Sequence, residues 1–178
     1  MPNSMVTSRN GLDFISKWEG CVLSVYRDIA GLPTIGIGHL IKRGENFTTI
    51  TKEQALDLLA NDVKLCEDAI KKNIKVSLNQ NQFDALVSWS FNCGVGVLQT
   101  STLSKRLNDG FYQEVPQHLL NWCKANINGK ITVNKGLYNR RKSEGDLWST
   151  PSDQNYNLEK IKEFETLTDQ VFGRKLST

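Results

Sequence analysis

Between Trp18 and Leu40 the chain cannot remain in one regular element, and this constrains its fold more than any other stretch. Leu12 and Ile15, flanked by Phe14 and Trp18, carry a helical apolar spacing that stops at Glu19-Gly20. A short alternating run follows, Val22, Ser24 and Tyr26, and then Asp28-Ile29-Ala30-Gly31 reads as a turn. The strand resumes over Leu32-Pro33-Thr34-Ile35-Gly36-Ile37-Gly38, where two glycines on one face let another backbone or a ligand approach. Fully extended, the steps from Glu19 to Asp28 would span roughly 30 Å, so only a hairpin brings the second acid back toward the first.

If the hairpin closes, three groups meet. Glu19 lies at the negative end of a helix beside an indole, a setting that favours a protonated carboxyl able to donate. Asp28 in a solvated turn serves as an ionised partner. Thr34 offers a hydroxyl that holds a water between them. Glycosidic cleavage uses this set, one carboxyl protonating the leaving oxygen and the other steadying a water or the oxocarbenium-like transition state.

At these residues the chain resembles the phage-type lysozymes of glycoside hydrolase family 24, the endolysins of tailed phages. That family's pattern of Glu, eight residues, Asp, five residues, Thr, then T-I-G-x-G-H is present as Glu19, Asp28 and Thr34, with Thr34-Ile35-Gly36-Ile37-Gly38-His39 following Trp18-Glu19-Gly20. The resemblance implies an α+β, mostly helical, two-lobed fold, with a small N-terminal antiparallel β-sheet lobe and a helical C-terminal lobe joined by a long helix. It also implies hydrolysis of the β-1,4 bond between N-acetylmuramic acid and N-acetylglucosamine in peptidoglycan, and lysis of the host cell. Segments similar to the family's F-N-x-G turn, at Phe91-Asn92-Cys93-Gly94, and its G-L-x-x-R-R-x-x-E run, at 136–144, extend the likeness over about residues 8–149.

Read along the chain, residues 1–149 form the catalytic domain and 150–178 a C-terminal helical extension. Within the domain the small lobe covers about 11–50, the linking helix about 52–72 and the helical lobe about 73–149. The capping box at Thr51 and Gln54 opens the linking helix, with Leu56, Leu59, Val63, Cys66 and Ile70 at helical spacing. Asn79 caps a helix striped by Phe83, Leu86, Val87 and Phe91. Further helices are expected at 101–108, at 112–124 with Pro116 in the first turn, and at 135–148. Asn126-Ile127-Asn128-Gly129-Lys130 reads as a mobile loop. In the extension Asn157 caps a helix with Leu158, Ile161, Phe164, Leu167 and Val171 on one side, and docking on the body is the simplest use of such a stripe.

Four further residues are assigned by alignment with glycan-contacting positions of the family: Leu40, Phe91, Asn92 and Thr102. His39 is read as structural, pairing with an acid from the helical lobe. Arg140 and Arg141 read as a basic solvated face, or as cations that meet wall carbohydrate or its peptide acids.

Composition narrows the classes. A net charge of +3 favours an anionic partner such as a cell wall but falls far short of nucleic-acid binding. Cys21, Cys66, Cys93 and Cys123 form no CxxC pair, and with only His39 and His118 beside them neither a metal nor another cofactor is expected. The first ten residues lack the apolar core of a secretory signal, and no apolar run approaches the roughly 18 residues that insert stably in a bilayer. By resemblance the protein is expected to accumulate in the host cytoplasm and to reach the glycan strands of the wall through a holin, and a monomer is expected because nothing in the chain demands more. A wall-binding or virion module without turnover would tolerate loss of the three site residues, and a lytic transglycosylase commonly uses a single Glu and releases an anhydro product.

Overall fold

The computed structural model describes residues 4–172. Ser8 caps α1 (Arg9–Glu19) by accepting the Gly11 N–H, and Gly20 ends the helix at φ 77°, its N–H reaching Ser16 O at 2.9 Å. The chain then forms one three-stranded antiparallel sheet of β1 (Val22–Arg27), β2 (Pro33–Gly36) and β3 (His39–Leu40). Its register pairs Tyr26 with Thr34 and Thr34 with Leu40, with an irregularity in β1 between Val22 and Tyr26. Gly36, at φ 68°, has a structural reason to be glycine. A Cβ there would lie 3.2 Å from the Ala55 Cβ, so the missing side chain admits the next helix rather than a ligand.

The expected long helix is present as α2 (Lys52–Asp62) and α3 (Lys64–Asn73), interrupted by a single turn residue, Val63, at φ −76° and ψ −8°. Its capping box is complete, Thr51 and Gln54 bonding each other's backbone N–H at 2.8 and 3.1 Å. A second box, Asn79 with Gln82, opens α4 (Gln80–Cys93). Phe83, Ala85, Leu86, Val87, Ser88, Trp89 and Ser90 are all buried, so α4 is covered all round rather than along one stripe. It is the axis of the larger lobe, packed by α1, α3 and α8 (Lys135–Ser149). The short α5 (Val97–Thr100) and α6 (Thr102–Asn108) lead from it to α7 (Val115–Leu120), preceded by a 3-10 turn at Tyr112–Glu114.

Two expectations fail between residues 112 and 135. The helix expected to reach residue 124 ends at Leu120, with Pro116 in its first turn. The expected loop is instead a hairpin of β4 (Lys124–Ile127) and β5 (Lys130–Val133). Asn128 at φ 53° and Gly129 at φ 81° make the tight turn that an Asn-Gly pair favours.

After Thr150 the chain returns to the body. The Asn81 amide donates to the carbonyls of Thr150, Pro151 and Gln154, at 3.2, 3.0 and 2.9 Å. Tyr156 meets Phe14 edge to face at 5.5 Å, and α9 (Lys160–Phe172) buries Ile161 against the core. Leu158 and Phe164 are half-buried, while the side chains of Leu167 and Val171 lie outside the described residues.

Candidate active site

Glu19 is the last residue of α1, three positions before the strand that pairs with β2. Its carboxylate is about a quarter exposed, and Oε1 accepts a hydrogen bond from Arg140 Nη1 at 2.5 Å. The cation lies 121 residues away on α8, so one ion pair ties the exit of the first helix to the larger lobe. The sequence surrounds Glu19 with an indole and a helix end. The structure adds a guanidinium.

Arg140 and Arg141 correct the expectation of a solvated basic face, because they are only 4% and 0% exposed. A buried guanidinium needs compensating charge, and α8 supplies it from its own next turn. Glu144, fully buried, meets Arg140 at i, i+4 and Arg141 at i, i+3, the two spacings that share a helix face. Arg140 Nε donates to Glu144 Oε1 at 3.3 Å, while Arg141 Nε lies 2.7 Å from Glu144 Oε2 and Arg141 Nη2 donates to Oε1 at 2.9 Å. Ser88 on α4 donates its hydroxyl to Glu144 at 2.7 Å and offers its carbonyl to Arg140 at 3.3 Å. Two cations therefore face two carboxylates, and the one carboxylate reaching solvent is Glu19.

Asp28 is held quite differently. It is half-buried at the mouth of the first hairpin, where Oδ1 accepts the Leu32 N–H at 2.8 Å and its backbone bonds Leu32 and Gly31. These contacts belong to its own turn and occupy one carboxylate oxygen. Thr34 is 2% exposed and donates its hydroxyl to Leu32 O at 3.0 Å, which leaves the oxygen lone pairs to accept from a water. Cross-strand partners share a face, so the register places Tyr26, Thr34 and Leu40 in one row, with Asp28 two residues beyond Tyr26.

The remaining sequence-derived positions separate into groups. Leu40 is 47% exposed at the edge of that row. The Asn92 carbonyl oxygen accepts from Arg141 at 3.0 Å, which joins it to the buried charge network. Phe91 is half-buried and packs on the core, and Thr102 lines a different cleft with Asn73, Gln99 and Lys105.

His39 is buried between two carboxylates, Nδ1 2.8 Å from Asp62 at the end of α2 and Nε2 3.0 Å from Glu45 in the small lobe. Burial by itself would lower the imidazole pKa, but hydrogen bonds to Glu45 and Asp62 outweigh it and hold the pKa above its ordinary value. Only the protonated ring donates to both acids. Among the described residues no cluster of three His, Cys, Asp or Glu is arranged to hold a metal ion. The residues that sequence reasoning missed are Ser88 and Glu144. The signal available was charge spacing, since R-R-x-x-E puts both cations over one acid.

A phage lysozyme family profile matches residues 16–144. The chain is 39% identical over 148 residues to an endolysin of Acyrthosiphon pisum secondary endosymbiont phage 1, covering 82% of this chain and 99% of that one. It is 36% identical over 176 residues to an endolysin of Bacillus phage B103, covering 98% of this chain and 65% of the relative, so this chain spans about two thirds of that protein's length. That alignment runs into the C-terminal extension, whereas the family match stops at residue 144, close to where the likeness is expected to end. Among solved structures, the muramidase domain of SpmX from Asticaccaulis excentricus superposes with a TM-score of 0.74 at 35% identity, covering 82% of this chain and 98% of that one.

Proposed function

The chain belongs to the phage lysozyme family and is a peptidoglycan-hydrolysing muramidase; from that premise we propose that it cuts the β-1,4 bond between N-acetylmuramic acid and N-acetylglucosamine with Glu19, Asp28 and Thr34. Arg140 occupies Glu19 Oε1, so the proton passed to the glycosidic oxygen rides on Oε2. As the bond to the leaving oxygen breaks, positive charge grows at the anomeric carbon. The Asp28 carboxylate, with one oxygen spent on the Leu32 N–H and one unspent, faces that charge or the incoming water. Thr34 accepts a hydrogen bond from the same water. Water adds to the anomeric carbon, the leaving sugar departs with the Glu19 proton, and a proton from water returns to the enzyme.

The observation that carries the reading is the Glu19–Arg140 pair. A buried cation, balanced by a buried network, is committed to one solvent-reaching carboxylate at the junction of sheet and helices, which fixes where that side chain stands. Glu19→Gln keeps the shape and the acceptor for Arg140 but has no proton to give. It should lose at least about a thousandfold in muropeptide release while still unfolding cooperatively at a lowered melting temperature, and full activity would end the assignment. Mass analysis of the released fragments checks the chemistry, because a hydrolase gives reducing muropeptides and a transglycosylase gives anhydro ones.

Leu40 and Asn92 belong to the same proposal as glycan contacts beside Thr34 and Arg141, with Phe91 and Thr102 more remote. Residence in the host cytoplasm, release by a holin and action as a monomer complete it, supported by kinship with endolysins. No described helix is long and apolar enough to cross a membrane.

A further inference from the structure

The β4–β5 ribbon has no part in the chemistry above, yet it leads directly into α8, the helix that carries Arg140. Its base is closed by the Asn134 N–H donating to Cys123 O at 2.8 Å, and Trp122, two residues before β4, meets Trp89 of α4 edge to face at 5.6 Å. Asn134 then caps α8, whose sixth residue beyond the cap is Arg140, roughly 9 Å farther along the axis. The ribbon therefore joins the N-terminal half of the helix whose Arg140 holds Glu19. A lone two-stranded hairpin is marginal in water, so a ribbon kept this exposed needs a use.

Its surface has a definite chemistry. The pairing Lys124 with Val133 and Asn126 with Ile131 sets a cation, an amide and two aliphatic side chains on one face, where Ile131 is 72% and Val133 44% exposed. The other face carries Ile127 opposite Lys130, both exposed. From Val115 to Ser143 the chain contains no Asp or Glu, and among the described residues neither Lys124 nor Lys130 enters an ion pair. Arg140 and Arg141, by contrast, are neutralised from within.

We propose that this ribbon holds the stem peptide of the substrate on the face that Lys124 shares with Ile131 and Val133, Lys124 meeting a carboxylate and the aliphatic pair covering short side chains, while Lys130, at the turn on the opposite face, adds attraction at longer range. The proposal rests on the muramidase reading and names the part of the substrate that the catalytic trio does not touch. The glycan of peptidoglycan is uncharged where the muramyl carboxyl is amide-linked, so the negative charge near the cut bond resides on the peptide, and a cationic ribbon leading into α8 matches it. Three exposed aliphatic side chains and two lysines are too little apolar surface to seat in a bilayer, which disfavours a lipid occupant.

The test compares the native enzyme with the double variant Lys124→Glu/Lys130→Glu on two substrates, intact sacculi and glycan chains stripped of peptide by an amidase and then re-amidated at the freed lactyl carboxyls, so that the stripped chains carry no charge. On sacculi the variant should raise the apparent KM about tenfold at low salt with kcat unchanged, an effect that shrinks as salt is added. On stripped chains the two enzymes should agree within about twofold, and Lys124→Arg/Lys130→Arg should behave as native on both. An unshifted KM on sacculi, or an equal loss on both substrates, overturns the ribbon's role. So does a variant whose only defect is weaker binding to vesicles of anionic phospholipid, which would assign the ribbon to membranes. If the native enzyme opens neither substrate, the muramidase reading itself falls, whereas native cleavage of both with an unshifted variant removes the ribbon alone.

Discussion

Glu19 and Asp28 are assigned to one reaction but are held by opposite means. The first is clamped by a guanidinium from 121 residues away, itself fixed by Glu144, Ser88 and α4. The second is held by the backbone of the turn it belongs to. One position is a property of the whole fold and the other of a few consecutive residues. It follows that substitutions near Glu19 should act through stability as well as chemistry, while those at Asp28 should act through chemistry almost alone.

The hardest strain on that contrast is Glu144→Gln. It leaves the shape of the network but takes away the one negative charge that Arg140 and Arg141 share inside the protein. Removing one member of a buried pair strands the others, and about 3–5 kcal/mol of stability should be lost in urea denaturation. A loss below about 1 kcal/mol would mean that water already screens the network and that Glu19 is not positioned by the fold in the sense argued above.

His39 sharpens the same contrast through pH. It too is buried between carboxylates from two segments, Glu45 of the small lobe and Asp62 of α2, and its pKa is raised by them. A group whose folded pKa exceeds its unfolded value contributes its full stability below the unfolded value, about 6.5 for histidine, and loses that contribution as pH climbs through the folded value. Native protein should therefore exceed His39→Asn in melting temperature most clearly near pH 6, and the gap should close as the buffer is made alkaline. Glu45 narrows the window from the acid side. The Lys42 N–H and then His39 lower its pKa, so its own contribution fades as pH falls through that lowered value. A gap that widens with pH would mean that His39 is held neutral.

The same division decides what could be read without coordinates. Caps at Ser8, Thr51, Asn79, Ser101 and Asn134 are local, a side chain and the N–H three residues on, and four of these starts fall at or within a residue of those expected from spacing. The first sheet was legible because its turn and glycines are local signals too. The burial of Arg140 and Arg141 was not, since a run of basic residues on a helix looks the same whether α4 or water lies against it. What distinguishes the cases is Glu144 one turn on, together with Ser88, and the second partner is 56 residues away. The β4–β5 ribbon was missed for another reason. Asn128-Gly129 is a strong hairpin signal, but its strands are exposed and show no clear alternation of buried and exposed residues.

Asp28→Asn should have the smallest effect on stability and so isolates the local half of the comparison. Asparagine keeps the carbonyl oxygen that receives the Leu32 N–H, retains the preference of the turn and is isosteric, so the hairpin has no reason to move. Stability in urea should change by less than about 0.5 kcal/mol. The charge facing the anomeric carbon is gone, however, and kcat on sacculi should drop about a hundredfold or more with KM nearly unchanged. If stability falls by several kcal/mol instead, the turn depends on the carboxylate and the two acids are not held by different means. If stability and kcat are both unmoved, Asp28 is a turn residue only, and the chemistry must be carried by Glu19 and a water that Thr34 places alone.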